Sequence, residues 1–460
     1  MRIFKKILLA ISIIFLIGLL SGIWYAWRAF PIISGYGAKN MASALYLQHR
    51  KPEDILREDL GRFPLSLGNF TVDEADSSVT GSVWGLAKRK AIYRKGLGCT
   101  LINGYSEAAI RSQRFALHVS NRPLMDSVPW PVGDRSEDSI PAQVNRVALQ
   151  QAIDHAMMAT LNGKNAHNRA VVVVYDGQLV GEQYAPGFDR HTVMLGWSIS
   201  KSLTSALIGI LVKEGKLQLD APAPVPEWKG TDKANITLKH LLQQTSGLDF
   251  EEDYANPSEV TNMLFKEGDM AAYTAKLPLK HAPGTTFYYS SGNTNILSRI
   301  IRHTVGETAY PSFPYKALFH KIGMYSALLE PDASGTFIGS SYSYATARDF
   351  ARFGLLYLNK GVWNGTPLLP AYWVEQSITP ASADTLQQYG YQFWLNGIDA
   401  AHPSQRLYPD VPADMFYASG YGGQHIYIIP SRKLVVVRMG LERINGNQLL
   451  KEVMQAIAHN

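Results

Sequence analysis

Residues 7–27, ILLAISIIFLIGLLSGIWYAW, form an uncharged apolar run of 21 positions. At about 1.5 Å rise per residue, a helix of that length matches a bilayer core of about 30 Å. The first constraint on this chain is therefore a membrane at its N-terminus. Arg2, Lys5 and Lys6 precede the run, and Trp24, Tyr25 and Trp27 close it. Cations hold to the cytoplasmic side and aromatic belts lie at the interface, so the N-terminus is expected in the cytoplasm. The alternative is a cleaved signal peptide, whose apolar core spans about 7–15 residues before a small-residue cleavage point. The nearest such pair, Gly35 and Gly37, lies well beyond the run. An uncleaved anchor over residues 1–30 is the preferred reading. On either reading the bulk of the chain is exported, and a single pass through a bacterial inner membrane with a periplasmic domain is expected.

The remaining composition narrows the function. Hydrophobic residues make up 46% of the 460 positions and charged residues 18%, which excludes a disordered chain. Net charge is +6, but the first 30 residues hold four cations and no acid, leaving only +2 for the rest. A nucleic-acid partner would call for a basic folded part, so none is expected. Cys99, the sole cysteine, rules out an intrachain disulfide and a Cys-rich zinc site. The twelve His include no H-E-x-x-H, and no glycine-rich phosphate loop occurs. Neither a metal nor a cofactor is expected, and oligomeric state is left open.

Residues 31–140 read as an N-terminal extension with scattered aromatics and a short β-like run over 94–101, ending in a Pro-rich linker, 123–141, with no visible chemistry. Beyond it the pattern sharpens into one domain, 141–460. A helix is predicted over 146–161, and a hairpin over 170–184 turns at Asp176-Gly177. Positions 199–215 form an amphipathic helix with Leu203, Leu207, Ile210 and Leu211 on one face and Gly215 as its stop. A second hairpin over 424–441 and a last helix over 447–458 follow. Helices at both ends with hairpins between them indicate an α+β fold on an antiparallel sheet.

One short motif carries chemistry. Ser198-Ile199-Ser200-Lys201 is an S-x-x-K at the start of the amphipathic helix, after the apolar approach 193–197. Backbone N–H groups and the helix dipole there favour developing negative charge. Lys201, one turn on, can reach the Ser198 hydroxyl and, once desolvated, act as its base. The plain alternative is an N-cap serine followed by a solvated lysine. The serine elbow G-x-S-x-G is absent, because Ser200 stands where its second glycine belongs, which argues against an α/β-hydrolase.

GWSISKSLTSALIGILV, ITLKHLLQQTSGLDF and PGTTFYYSS, followed by a Gly-rich segment before the last hairpin, stand in order along the chain. In these boxes it resembles the serine β-lactamase-related family of class C β-lactamases, DD-peptidases and family VIII esterases. Within that family it is most similar to the 6-aminohexanoate-dimer hydrolase type. The resemblance covers about 145–460 and implies a β-lactamase/transpeptidase-like sheet flanked by helices, with a mostly helical lid over about 220–335. It implies that Ser198 is the nucleophile, Lys201 its base and Tyr289 the phenol that relays the proton to the leaving group. The family's Tyr-x-Asn box reads Tyr289-Ser290-Ser291 here, so Ser291 replaces an amide-binding Asn. In FYASGYGGQ, Ala418-Ser419-Gly420 falls on the Lys-Thr-Gly box and lacks the carboxylate-binding cation, unless Arg432 or Lys433 reaches the pocket. The backbone N–H groups of Ser198 and Tyr421 would form the oxyanion hole. Tyr254 matches a tyrosine that hydrogen-bonds the scissile amide, and with Ser291, Ser419 and Gly420 it completes the expected substrate contacts. The expected activity is hydrolysis of small amides or esters through an acyl-enzyme on Ser198. Two alternatives stay open: a penicillin-binding protein or β-lactamase acting on cell-wall peptides or β-lactams, and a catalytically silent binding protein of the same fold.

Overall fold

The computed structural model describes residues 2–113, 125–136 and 139–458. Of the Pro-rich linker, positions 123, 124, 137 and 138 lie outside the described residues. The chain opens with helix α1, Arg2–Tyr46, which runs through Pro31 without a break in assignment. The boundary expected after residue 30 therefore falls inside a helix. Proline removes one helical hydrogen bond, and that cost is met by packing: Ile33, Ala38, Met41 and Ala42 of the second half are buried. They pack on an antiparallel sheet of four strands in sequence order, β1 (Gly68–Asp73), β2 (Ser78–Val83), β3 (Leu86–Arg94) and β4 (Gly98–Leu101). Phe70, Val79, Ala91 and Cys99 of this sheet share one core with α1 and with Val260, Met263 and Phe265 of the lid region. Lys39 pairs with buried Glu330, which also accepts from Ser43 Oγ (2.9 Å) and the Cys99 N–H (2.6 Å). The extension is thus part of the folded body.

Helix α2, Arg146–Met158, leads into the main sheet. Its strands are β5 (Asn168–Tyr175), β6 (Gln178–Tyr184), β7 (Trp394–Leu395), β8 (Phe416–Gly420), β9 (Gln424–Ile429) and β10 (Leu434–Gly440). All neighbours are antiparallel, in the order β7-β8-β9-β10-β5-β6. Asp176 and Gly177 turn the first hairpin, both with positive φ, as a two-residue type I′ turn requires. AVVVVY is continuously apolar because both sheet faces are covered. Val171 and Val173 meet α2 and the C-terminal helix Gly446–Gln455. Val172 and Val174 face the opposite core, with Leu203 and Leu207 of helix α3, Ile199–Lys213. The lid region contains α4, Glu259–Lys266, and α5, Ser291–Val305.

Candidate active site

Helix α3 starts from a sharply turned segment. Met194-Leu195 pairs with Tyr344-Ala345, and the Gly196 N–H donates to the Ser343 carbonyl at 2.8 Å. Trp197 then takes a left-handed backbone (φ 47°), which costs free energy in a bulky residue and is held here by aromatic packing that leaves the ring half-buried. Its ring lies against those of Tyr36 of α1, Tyr342 and Tyr421. Ser198 follows as the N-cap residue, yet its side chain makes no capping hydrogen bond. The hydroxyl instead accepts from Lys201 Nζ at 2.9 Å. Ser200, the other serine of the motif, is buried and bonds the Trp197 carbonyl at 2.6 Å, so it braces the turn.

Lys201 is 1% exposed. Its Nζ also donates to Ser291 Oγ at 2.9 Å and to the Ser340 carbonyl at 3.0 Å. Burial pushes its pKa down to about 8, while the nearby Glu252 carboxylate works the other way. The neutral amine is therefore accessible near neutrality, which suits a base.

Tyr289 sits over this pair, with Lys201 Nζ 4.8 Å from its ring centroid. The ring stacks on Trp394 of β7 (centroids 5.2 Å) and meets Tyr389 edge-on. Burial raises its pKa well above the ordinary tyrosine value, Tyr389 and Glu252 add to this, and hydrogen bonding with Ser198 opposes it. The phenol is protonated at neutral pH, so it can donate to a leaving group.

Ser291, expected to touch substrate, is buried, and its hydroxyl is engaged on both sides: it accepts from Lys201 and donates to Glu252. The Ser291 N–H donates to the second Glu252 oxygen at 2.8 Å. Tyr254, exposed at the rim, donates to Glu252 at 2.7 Å and lies 3.4 Å from Ser291 Oγ. Glu252 is thus a site residue that sequence reasoning missed, and the Ser340 carbonyl is another.

The end of β8 closes the site from the sheet side. A Cβ on Gly420 would stand 2.2 Å from the Gly196 carbonyl oxygen, so only glycine lets the strand approach the turn before Ser198 this closely. Next to it, the Tyr421 N–H and the Ser198 N–H make no hydrogen bond among the described residues. Arg438 holds the following turn through the carbonyls of Gly422 (3.0 Å) and Gly423 (2.8 Å). Ala418 is buried in the core between sheet and α3, and Ser419 is half-buried opposite His425. Neither Arg432 nor Lys433 reaches the pocket. Both lie at the far turn of the β9-β10 hairpin, where Arg432 bonds the Met454 carbonyl and Lys433 pairs with Asp176.

A buried lysine donates to a serine at the start of a helix, beside a strand that ends in glycine, and this arrangement resembles that of a serine β-lactamase-type centre. The profile of the Beta-lactamase family matches residues 151–440, and the chain belongs to that family. It is 27% identical to the 6-aminohexanoate-dimer hydrolase of Paenarthrobacter ureafaciens over 297 residues, 59% of this chain and 71% of that protein. Among solved structures, a family VIII carboxylesterase superposes with TM-score 0.54 at 14% identity, covering 70% of this chain and 99% of that one. A penicillin-binding protein homolog from Caulobacter crescentus superposes with TM-score 0.54 at 16% identity, over the same shares. These likenesses establish the β-lactamase/transpeptidase-like fold.

Proposed function

We propose that this protein is a membrane-anchored serine hydrolase that cleaves small amides or esters by two-step acyl transfer. The observation that carries the reading is the uncapped Ser198 hydroxyl held 2.9 Å from a buried lysine whose pKa is about 8. Lys201 takes the Ser198 proton as Oγ attacks the acyl carbon, and the N–H groups of Ser198 and Tyr421 receive the oxyanion. Tyr289 protonates the departing amine or alcohol, and water then releases the acid from Ser198. Glu252 and Ser291 position Lys201 and Tyr254. Tyr254 and the β8 edge at Ser419 and Gly420 line the acyl-binding side.

The same body supports an anchor retained in the mature protein. Helix Ile3–Tyr46 is long and apolar enough to cross a membrane, and its most apolar window is wholly unburied. Cleavage between residues 30 and 45 would cut through the buried Ile33–Ala44 segment. We place the domain in the bacterial periplasm from the cations that precede the span.

Two contacts that hold a penicillin in the family pattern are missing: Ala418 offers no cation, and the Ser291 hydroxyl is already engaged. Each lost contact is worth about 1–3 kcal/mol, so β-lactam acylation falls by orders of magnitude while simple esters keep the nucleophile, base and oxyanion hole. The test is labelling by a fluorophosphonate probe, with kcat/KM for p-nitrophenyl butyrate and for nitrocefin. Ser198 is expected to carry the label, butyrate to exceed nitrocefin, and Ser198→Ala to abolish both label and turnover. An alanine variant that keeps most of its activity removes Ser198 from the mechanism, and a nitrocefin value at or above the ester value restores the β-lactamase reading.

A further inference from the structure

Helix α1 leaves its apolar stretch and enters the hydrolase body within two turns. Trp24, Tyr25 and Trp27 are exposed, Trp27 by 81%, whereas Ile33 is buried. A bilayer surrounding the apolar run must therefore end near residues 24–30, and the body is held at a fixed height above it. Three features gather at that height. The turn of the β2-β3 hairpin places Trp84 edge-on to Phe30 of α1, with ring centroids 5.3 Å apart. Trp84 and Leu86 are nevertheless exposed, Trp84 by 71%, and Lys88 follows them on the surface. Trp84 and Gly85 both have positive φ, the geometry of a type I′ turn that favours Asn-Gly, so the chain accepts strain to present a large aromatic there. Exposed Trp and Leu flanked by cations is the chemistry of a membrane interface, and the patch is continuous with the apolar face of α1. Arg28, over the Trp24 ring at 4.9 Å, adds a further cation.

The rim of the active site reaches the same level. Tyr25 donates to Asn256 Oδ1 at 3.2 Å, and Asn256 donates to Asp253 at 2.8 Å, in the loop that carries Glu252 and Tyr254. Nine residues after Trp27, about 14 Å along the helix, Tyr36 stacks on Trp197 beside the nucleophile. That height is comparable to half a bilayer's hydrocarbon thickness, about 15 Å, which is the reach of one acyl chain. Tyr254, Tyr288 and Tyr421 leave this rim aromatic and exposed.

We propose that the bilayer surface is part of the substrate-binding arrangement: the Trp84–Leu86 hairpin tip rests in the interface and the Ser198 site acts on membrane-resident amphiphiles whose ester or amide is raised about one acyl-chain length above the interface to meet Ser198. This inference rests on the serine hydrolase reading above. The acyl carbon's bond to the leaving oxygen or nitrogen breaks as its bond to Ser198 Oγ forms, and the leaving group departs with a proton. Water then adds, freeing Ser198 and a carboxylic acid. The test uses the full chain in phosphatidylcholine vesicles, with 4-methylumbelliferyl palmitate partitioned into the bilayer and p-nitrophenyl butyrate in water. The double substitution Trp84→Ser, Leu86→Ser is expected to lower palmitate turnover about tenfold or more, because two apolar side chains leave the interface, and to leave butyrate turnover unchanged. Butyrate turnover without palmitate turnover, equal palmitate rates in both proteins, or a parallel fall of both substrates would overturn the proposal while the hydrolase reading stands. Loss of both substrates in the unsubstituted protein, with Ser198 unlabelled, would overturn the hydrolase reading and this inference with it.

Discussion

Lys201 is buried with three oxygen acceptors around its ammonium group, and that balance sets the pH at which its amine is free to take a proton. Burial lowers its pKa to about 8 and the Glu252 carboxylate pulls the other way. On the proposed mechanism the amine is the base, so kcat/KM for an ester should rise with pH and level off above about 8. In Glu252→Gln the opposing charge is gone, burial acts alone, and the acidic limb should move to lower pH. Below the limb, each unit of downward shift raises the amine fraction about tenfold. A pH–rate profile on p-nitrophenyl butyrate reads this directly, and an unmoved or upward-shifted limb would separate Glu252 from the lysine. Sequence spacing placed Ser198 and Lys201 one helical turn apart, because i and i+3 share a face. Glu252 was not legible: it stands among Glu251 and Asp253, and nothing local says which of three adjacent acids turns toward Ser291.

At the scale of elements, the close approach of β8 to the start of α3 makes the site. Gly420 has an ordinary backbone conformation, so the obstacle to a side chain there is space alone. In Gly420→Ala the new Cβ would meet the Gly196 carbonyl oxygen at 2.2 Å and Trp197 Cβ at 3.1 Å. The strand end must withdraw, carrying the Tyr421 N–H away from Ser198. Loss of one oxyanion donor typically costs about 10²–10³ in kcat. Overpacking typically costs about 1–3 kcal/mol of stability. Ester kinetics beside urea denaturation should show the kinetic loss far exceeding the stability loss; full activity would exclude the Tyr421 N–H from the reaction. The two hairpins of the main sheet could be read from apolar runs bounded by Asp176-Gly177 and Pro430. Of the four-stranded sheet only the run at 94–101, which holds its last strand, could be read that way. GNFTVD and SVTGSV are rich in Gly, Ser and Thr, and LAKRKAIYR hides its alternation under four cations. Pro31 likewise marks a helix end by local rules, and only tertiary packing carries α1 past it.

For the molecule as a whole, the apolar N-terminal run and the core of the β-lactamase-type body share one helix. The part of α1 beyond the apolar run is core for both the four-stranded sheet and the lid, so the region that reads as an extension without chemistry braces the wall behind Trp197. A chain that begins at Arg28 loses the exposed apolar run and the Tyr25–Asn256 hydrogen bond but no buried core residue. It should be water-soluble, fold cooperatively and keep butyrate hydrolysis. A chain that begins at Lys51 loses Ile33, Ala38, Met41 and Ala42 from the core and leaves Glu330 buried without Lys39. Ile33 and Met41 alone contribute about 1.5–3 kcal/mol each, and an uncompensated buried charge costs about 3–5 kcal/mol more. Against a typical net stability of about 5–15 kcal/mol, that loss consumes most or all of the margin. The shorter chain should therefore aggregate, or melt far below the longer one, and show no turnover. Thermal unfolding of the two proteins side by side, with fluorophosphonate labelling of the soluble fraction, makes the comparison. Equal melting temperatures and equal labelling would show that α1 merely tethers the domain, and the support that α1 gives the Trp197–Ser198 turn through Tyr36 would then have to come from the lid alone.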